Sequence, residues 1–296
     1  MAKKKINAML LSLVVMALWG SLFPMVKIGY STFNIEPTST PDILMFAAVR
    51  FTVCGALLCI WSAFKRAEFE KPVGKNVCYI LIMGFFAIVL HYSFTYIGLA
   101  YTDSSKTALL KQLGALIYVC FAFLVIKDEK FGFSKIIGAV VGFMGIIAIN
   151  TGGGRISFSY GDFLIILASF SLVISSILTR ITAQKNSPLW VTGISQLGGG
   201  LLLLIVALTM HAKIPAFTFE SALVFTYICV ASIGGYTLWA YLTRTTSLSK
   251  LFIIKFAEPL FACIFGALWL GEDIFKIQYL LAFVLISAGI VIGNKD

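Results

Sequence analysis

The chain has 296 residues, of which 59% are hydrophobic and only 12% charged, with a mean hydropathy of +0.96 and a net charge of +10. A soluble domain runs about 45–50% apolar and about 25% charged, and a water-soluble core of this length has no room for the surplus. Composition therefore excludes an ordinary soluble enzyme, a disordered chain and a nucleic-acid module, and makes lipid the solvent for much of the surface.

A bilayer core takes about 20 apolar residues per helix, and ten such stretches follow along the chain, at roughly 6–30, 41–64, 76–99, 103–126, 134–150, 160–182, 188–210, 219–242, 249–270 and 276–293. The first follows Lys3-Lys4-Lys5 as a signal peptide would. It runs on to about Tyr30 with no small-residue cleavage site, so it is expected to stay as an uncleaved span. Turn and charge signals separate the stretches: Pro37 to Pro41, Lys65 to Lys75, Lys127 to Lys130, Gly152-Gly153-Gly154, Pro188, Pro215 and Gly271-Glu272-Asp273. Gly138, Gly142 and Gly145 give the fifth stretch a small-residue stripe, and Gly198-Gly199-Gly200 interrupt the seventh; both allow close helix approach or bending. The glycine run at 152–154 has no Lys-Ser/Thr after it, so it reads as a linker and not a phosphate loop.

Lys and Arg fall unevenly on the two sides of these spans. About 15 lie with Lys3–Lys5, Lys65, Arg66, Lys130, Arg180, Arg244 and Lys250. Four (Lys106, Arg155, Lys213 and Lys276) lie on the other side. The positive-inside rule makes the first side cytoplasmic, with both termini there and the cell membrane as the location. The basic balance then needs no acidic partner. Cys54, Cys59, Cys78, Cys120, Cys229 and Cys263 all sit in apolar runs without metal-ligand spacing and read as small hydrophobes. No metal, cofactor or catalytic residue is expected.

Sliding the chain on itself by 144 residues superposes Tyr92–Asn150 on Tyr236–Asn294. Tyr92/Tyr236, Ser105/Ser249, Lys106/Lys250, Lys111/Lys255, Phe131/Phe275 and Gly145/Gly289 are among about 13 identities in 59 positions, where about 5 would arise by chance. The paired lysines are not what apolar bias alone produces. Five spans per copy is an odd number, so the second copy must enter the membrane from the opposite face. The expected architecture is all-α: ten transmembrane helices as two inverted five-helix repeats, residues 1–150 and 151–296. Such duplication characterises secondary carriers with a site near the midplane.

Trp19-Gly20-Ser21-Leu22-Phe23 with Lys27, Arg50-Phe51, and Ala257-Glu258-Pro259 followed by Leu270-Gly271-Glu272 resemble, in order and spacing, the signatures of the EamA branch of the drug/metabolite transporter superfamily. The resemblance covers nearly the whole chain. It implies a ten-helix inner-membrane carrier of small metabolites, often amino acids and often outward. One departure is that the fourth span has Gly114-Ala115 where the ninth has Glu258-Pro259. A broken helix is therefore expected in the second half more than in the first.

An ionisable residue inside a span is a functional candidate by default. Arg50, His91 and Lys111 fall in the outer half of their spans, and Lys255 and Glu258 in the middle to inner half. Lys27 is shallower, where snorkelling to the interface competes with function. Arg50 suits either a substrate anion or backbone carbonyls. Lys255 and Glu258, three residues apart, either neutralise each other or serve substrate and coupling. Lys111 has no carboxylate one turn away, so its charge needs a partner from another helix, water or substrate. Tyr92, Tyr236 and Trp239 are candidates for an aromatic wall, with interfacial packing as the alternative. The expected substrate site is thus Lys111, Arg50, Tyr92, Tyr236, Trp239 and Lys255, with Glu258 and His91 as candidate proton-coupling groups.

The excess of buried cations favours an anionic or zwitterionic solute: amino acids or related organic acids, exported by alternating access, with a proton as possible second partner. An exporter of cationic or aromatic drug-like compounds is the alternative, and a non-transport membrane protein a further one. A membrane enzyme would need a nucleophile–base or metal constellation, and neither HExxH nor GxSxG occurs. A monomer or weak homodimer is expected.

Overall fold

The computed structural model describes residues 2–64, 71–99, 101, 104–125, 129–150, 159–272 and 277–295. Its helices are α1 (Ala2–Thr32), α2 (Thr40–Phe64), α3 (Lys75–Gly84), α4 (His91–Leu99), α5 (Ser104–Val125), α6 (Phe133–Asn150), α7 (Tyr160–Lys185), α8 (Pro188–Thr209), α9 (Phe219–Thr245), α10 (Leu248–Lys255), α11 (Glu258–Leu270) and α12 (Ile277–Gly293). A π-helical stretch, Phe85–Leu90, joins α3 to α4. No strand occurs among the described residues. Among the described residues seven helical runs are long and apolar enough to cross a membrane, with α3 to α4 and α10 to α11 each counting as one. Three shorter apolar helices, Leu110–Leu124, Phe133–Ala148 and Tyr279–Gly293, accompany them. The chain is an all-helical, multi-pass membrane protein. The Gly152-Gly153-Gly154 connection lies outside the described residues.

Local chemistry explains the helix ends. Ser159 and Asp162 form a reciprocal capping box at the start of α7, and Thr218 and Ser221 do the same for α9, satisfying N–H groups that the first turn leaves free. Pro188 opens α8, where a missing N–H costs nothing. Gly271 ends α11 at φ +67°, a conformation that only glycine adopts freely. The break between α10 and α11 also has a cause. Pro259 cannot donate to the carbonyl of Lys255, and Phe256 and Ala257 bond instead to carbonyls three residues back, tightening the chain into one 3₁₀ turn.

Two features differ from the sequence reading. The helix α8 runs unbroken through Gly198-Gly199-Gly200. Those glycines serve close approach: a Cβ on Gly200 would sit 2.5 Å from the Thr52 amide nitrogen of α2, and one on Gly199 2.8 Å from the Gly84 carbonyl. The third apolar run is interrupted by the π stretch, whose extra residue rotates α4 relative to α3.

Helices pair in a cross-connected pattern. α1 packs on α9 and α11, while α7 packs on α4 and α5; α2 lies along α8, and α6 along α12. Small residues set the α6–α12 approach. Cβ atoms built on Gly138 and Gly289 would meet the facing backbone at 2.5 and 2.6 Å, the close contact that stabilises helix pairs when lipid competes for apolar surface. The outer faces carry exposed Leu57, Ile60, Trp61, Leu201, Ile205, Leu280 and Phe283, which lipid solvates at no cost. Within α7, Ser171, Ser175, Ser176, Thr179 and Thr182 each donate to a carbonyl three or four residues back. That local bonding lets a hydroxyl-rich helix sit in the interior.

Candidate functional site

Most of the predicted site residues come together along one aromatic path in the interior; Lys111 sits apart from it, over Phe23. At its centre is Phe51 of α2. Tyr92 of α4 lies 5.0 Å from its ring centroid, and Tyr236 of α9 lies 5.9 Å from it. The repeat mates Tyr92 and Tyr236 thus flank one ring. Tyr236 continues to Trp19 of α1 at 5.4 Å, and Trp19 to Trp239 of α9 at 5.2 Å. Tyr92 continues to Tyr96 at 5.8 Å and to His91 at 5.2 Å.

The ionisable groups are in three different states, with Lys255 and Arg50 against this path and Lys111 over Phe23. The Lys255 ammonium, 95% buried as a residue, ion-pairs with the Glu258 carboxylate and lies 4.7 Å from the Trp19 ring centroid. Lys255 is the last residue of α10, where free carbonyls carry partial negative charge. Glu258 is the first of α11, where free N–H groups carry partial positive charge. The broken helix thus stabilises each charge twice, by dipole and by partner.

Arg50 is only 3% exposed. Its guanidinium lies 4.3 Å from the Phe51 centroid and 5.4 Å from that of Tyr92. Its Nε has no hydrogen-bond partner, and no carboxylate pairs with it among the described residues. The electron-rich ring faces give it part of the stabilisation that an anion would otherwise supply.

Lys111 of α5 is half-buried, with its Nζ 5.6 Å from the Phe23 ring, and it too pairs with no carboxylate among the described residues. The contrast with its repeat mate has a visible origin. Three residues after Lys255 stands Glu258; three residues after Lys111 stands Gly114. The Gly114 amide donates to Ser169 Oγ at 2.7 Å, and that hydroxyl donates to the Lys111 carbonyl at 2.9 Å. A Cβ at position 114 would lie 2.6 Å from Ser169 Oγ. The seat of α7 on α5 leaves no room there for a carboxylate, so Lys111 makes no ion pair on its own helix and meets the Glu258 carboxylate only through space. His91 donates through Nδ1 to the Ala168 carbonyl at 3.0 Å, which fixes its tautomer.

Three participants escape a residue-by-residue reading. Trp19 and Phe51 stand out in the sequence only as parts of the resemblance, yet they connect the path. Trp19 Nε1 rests against Gly235, where a Cβ would approach to 2.5 Å. Glu129 lies in a charged interspan segment that looks like a solvated loop, yet its side chain is 1% exposed. The shallow Lys27 pairs with Glu272 at 3.0 Å in water, with 66% and 46% of the two side chains exposed. All six cysteines are free thiols, and no cluster suited to a metal ion occurs among the described residues.

Buried cations beside aromatic rings inside a multi-pass helical protein are compatible with a membrane transporter, and the comparisons with known proteins give that class. The EamA-like transporter family model matches residues 6–151 and again 159–294, so the chain belongs to that family, within the drug/metabolite transporter superfamily. Among similar proteins is the uncharacterized transporter YdfC of Bacillus subtilis, 24% identical over 92% of this chain and 86% of its own. The uncharacterized inner membrane transporter YedA of Escherichia coli K12 is 24% identical over 93% and 87%. The WAT1-related chloroplastic protein At3g02690 of Arabidopsis thaliana is 25% identical over 91% of this chain and 65% of its own length. A crystal structure superposes with a TM-score of 0.78 over 97% of this chain and 96% of its own at 17% identity, a likeness of fold alone.

Proposed function

We propose that this transporter is a secondary carrier that exports small polar metabolites, amino acids or related organic acids, by alternating access. The observation that carries this reading is a pair of cations without an ion pair among the described residues: Arg50, buried against the Phe51 and Tyr92 rings, and half-buried Lys111, over the Phe23 ring. A substrate carboxylate would supply the missing counter-charge, and the rings would hold the apolar part. Lys255 serves the site through its pair with Glu258. The halves 1–150 and 151–296 act as inverted repeats that rock about this centre. The successive family matches support that, as does the crossed packing of α1 on α9 and α11 against α7 on α4 and α5.

Both termini face the cytoplasm of the cell membrane in this reading, following the excess of Lys and Arg on that side. Glu258 and His91 are the candidate coupling groups: Glu258 must part from Lys255 to take a proton, and His91 must give up its bond to Ala168. The cations that make no ion pair among the described residues count against a cationic drug-like substrate.

Uptake into proteoliposomes tests the reading, with a panel of amino acids, organic acids and organic cations, with and without an inward proton gradient. The expected result is saturable flux of an anionic or zwitterionic solute, lost in Lys111→Ala. Gradient dependence abolished by Glu258→Gln would assign coupling to that carboxylate. Saturable transport of cations, indifferent to Lys111→Ala, would overturn the substrate class.

A further inference from the structure

Glu129 is a buried carboxylate that the site described above does not use, and its partners come from both halves of the chain. The amides of Leu248 and Ser249, at the start of α10, donate to Oε1 at 2.8 and 3.2 Å. The Ser249 hydroxyl donates to Oε2 at 2.8 Å. Arg180, at the end of α7, approaches Oε1 at 3.5 Å, and Lys135 of α6 approaches Oε2 at 3.6 Å. Arg180 also reaches the Thr246 carbonyl at 3.4 Å, and Lys135 the Lys130 carbonyl at 3.0 Å. An anion at a helix N-terminus meets free N–H groups and the positive end of the dipole. Here the anion is the protein's own.

The position of α10 gives this cluster a consequence. Leu248, Ser249, Leu251, Phe252, Ile253, Ile254 and Lys255 are all buried, and Phe252 stacks edge-on against Tyr118 of α5 at 5.0 Å. One end of α10 is fastened by Glu129. The other carries Lys255, its pair with Glu258 and the break at Phe256–Ala257. Eight residues span about 12 Å, so a short rigid plug connects the fastening to the site, with a ready-made hinge at its inner end.

We propose that Glu129 is the gate carboxylate at this end of the molecule: its bonds to α10 and Arg180 hold the two halves shut between the site and the aqueous space beside Arg180, Lys130 and Lys185. The inference rests on the alternating-access reading above. When the halves part, Glu129 leaves the start of α10, the plug swings about Phe256–Ala257, and the path past Tyr118 opens.

Side-specific labelling tests it without any substrate. In a background with the six native cysteines replaced, Ala122→Cys places a reporter in the apolar cluster that holds Tyr118, Leu251 and Phe252. A membrane-impermeant maleimide is applied to oriented vesicles from either side. Glu129→Gln is expected to raise the labelling rate at least tenfold from the Arg180 side and not from the other. Arg180→Gln and Lys135→Gln should give smaller rises, and Glu129→Asp should restore part of the protection. Unchanged labelling in a Glu129→Gln protein with a normal gel-filtration profile would overturn the gate, as would an equal rise from both sides. Should Glu129→Gln not fold, Arg180→Gln and Lys135→Gln decide: no rise in either overturns it. The two readings fail separately. Solute flux with unchanged labelling defeats the gate alone. Side-specific labelling without flux of any solute defeats the carrier reading and leaves Glu129 as the residue that closes this end.

Discussion

Lys111 and Lys255 align when the sequence is slid on itself by 144 residues, yet the two regions have different electrostatics. Both helices put a lysine toward the interior. On α10 and α11 the next turn supplies Glu258, and Pro259 breaks the helix so that the pair sits between two half-helix ends. On α5 the next turn supplies Gly114, the helix is continuous, and Ser169 of α7 fills the space that a side chain would need. One half carries a neutralised pair at a helix break, and the other a lysine with no ion pair among the described residues. A duplicated fold therefore provides two copies of a scaffold without two copies of a site: what differs at position 114 or 258 decides which lysine is held and which is available.

The sharpest way to break this comparison is to remove Glu258. Glu258→Gln leaves Lys255 buried and unpaired, a change expected to cost about 3–5 kcal/mol, read as a large fall in the unfolding midpoint of the purified protein. The double variant Lys255→Met/Glu258→Leu should recover most of that loss, because it removes the charge along with its partner. A double variant as unstable as the single would mean that the pair supports the fold by something other than charge compensation.

Gly114→Val attacks the other side of the comparison. Its side chain meets Ser169 and separates α5 from α7, with an expected cost of about 1–3 kcal/mol in the same unfolding measurement. A neutral outcome would show that the α5–α7 contact yields freely and that packing does not exclude a side chain there.

Lys111→Met should change stability by less than about 1 kcal/mol in either direction, since no partner among the described residues is lost, while solute flux falls at least tenfold. A stability loss as large as that of Glu258→Gln would reveal Lys111 as a structural ion. The smallest effect belongs to Lys27→Gln at the exposed pair with Glu272, within about 0.5 kcal/mol of the parent in unfolding and unchanged in flux.

The helical pattern was legible where physics is one-dimensional. Apolar stretches of bilayer length gave the helices to within a few residues, and prolines and glycines marked their ends. The missing partner of Lys111 and the proximity of Lys255 to Glu258 could be read from spacing along a helix. The π stretch at Phe85–Leu90 could not, because no residue there departs from ordinary helix formers and the extra residue is accommodated by packing against α7 and α8. Gly198-Gly199-Gly200, read as allowing close approach or a bend, give the close approach in an unbroken helix, since a glycine in lipid costs little when a neighbouring backbone replaces the missing side chain.

Sequence alone determined that this chain lives in lipid, where its apolar runs fall, and which charges are costly to bury. All of these follow from composition, period and the price of burying a charge. Tertiary structure decided which lysine is compensated, that Tyr92 and Tyr236 flank Phe51, and that Glu129 is buried against α10 across some 120 residues of chain. Each depends on which backbone closes against which side chain, and that is settled by three-dimensional packing that local spacing does not encode.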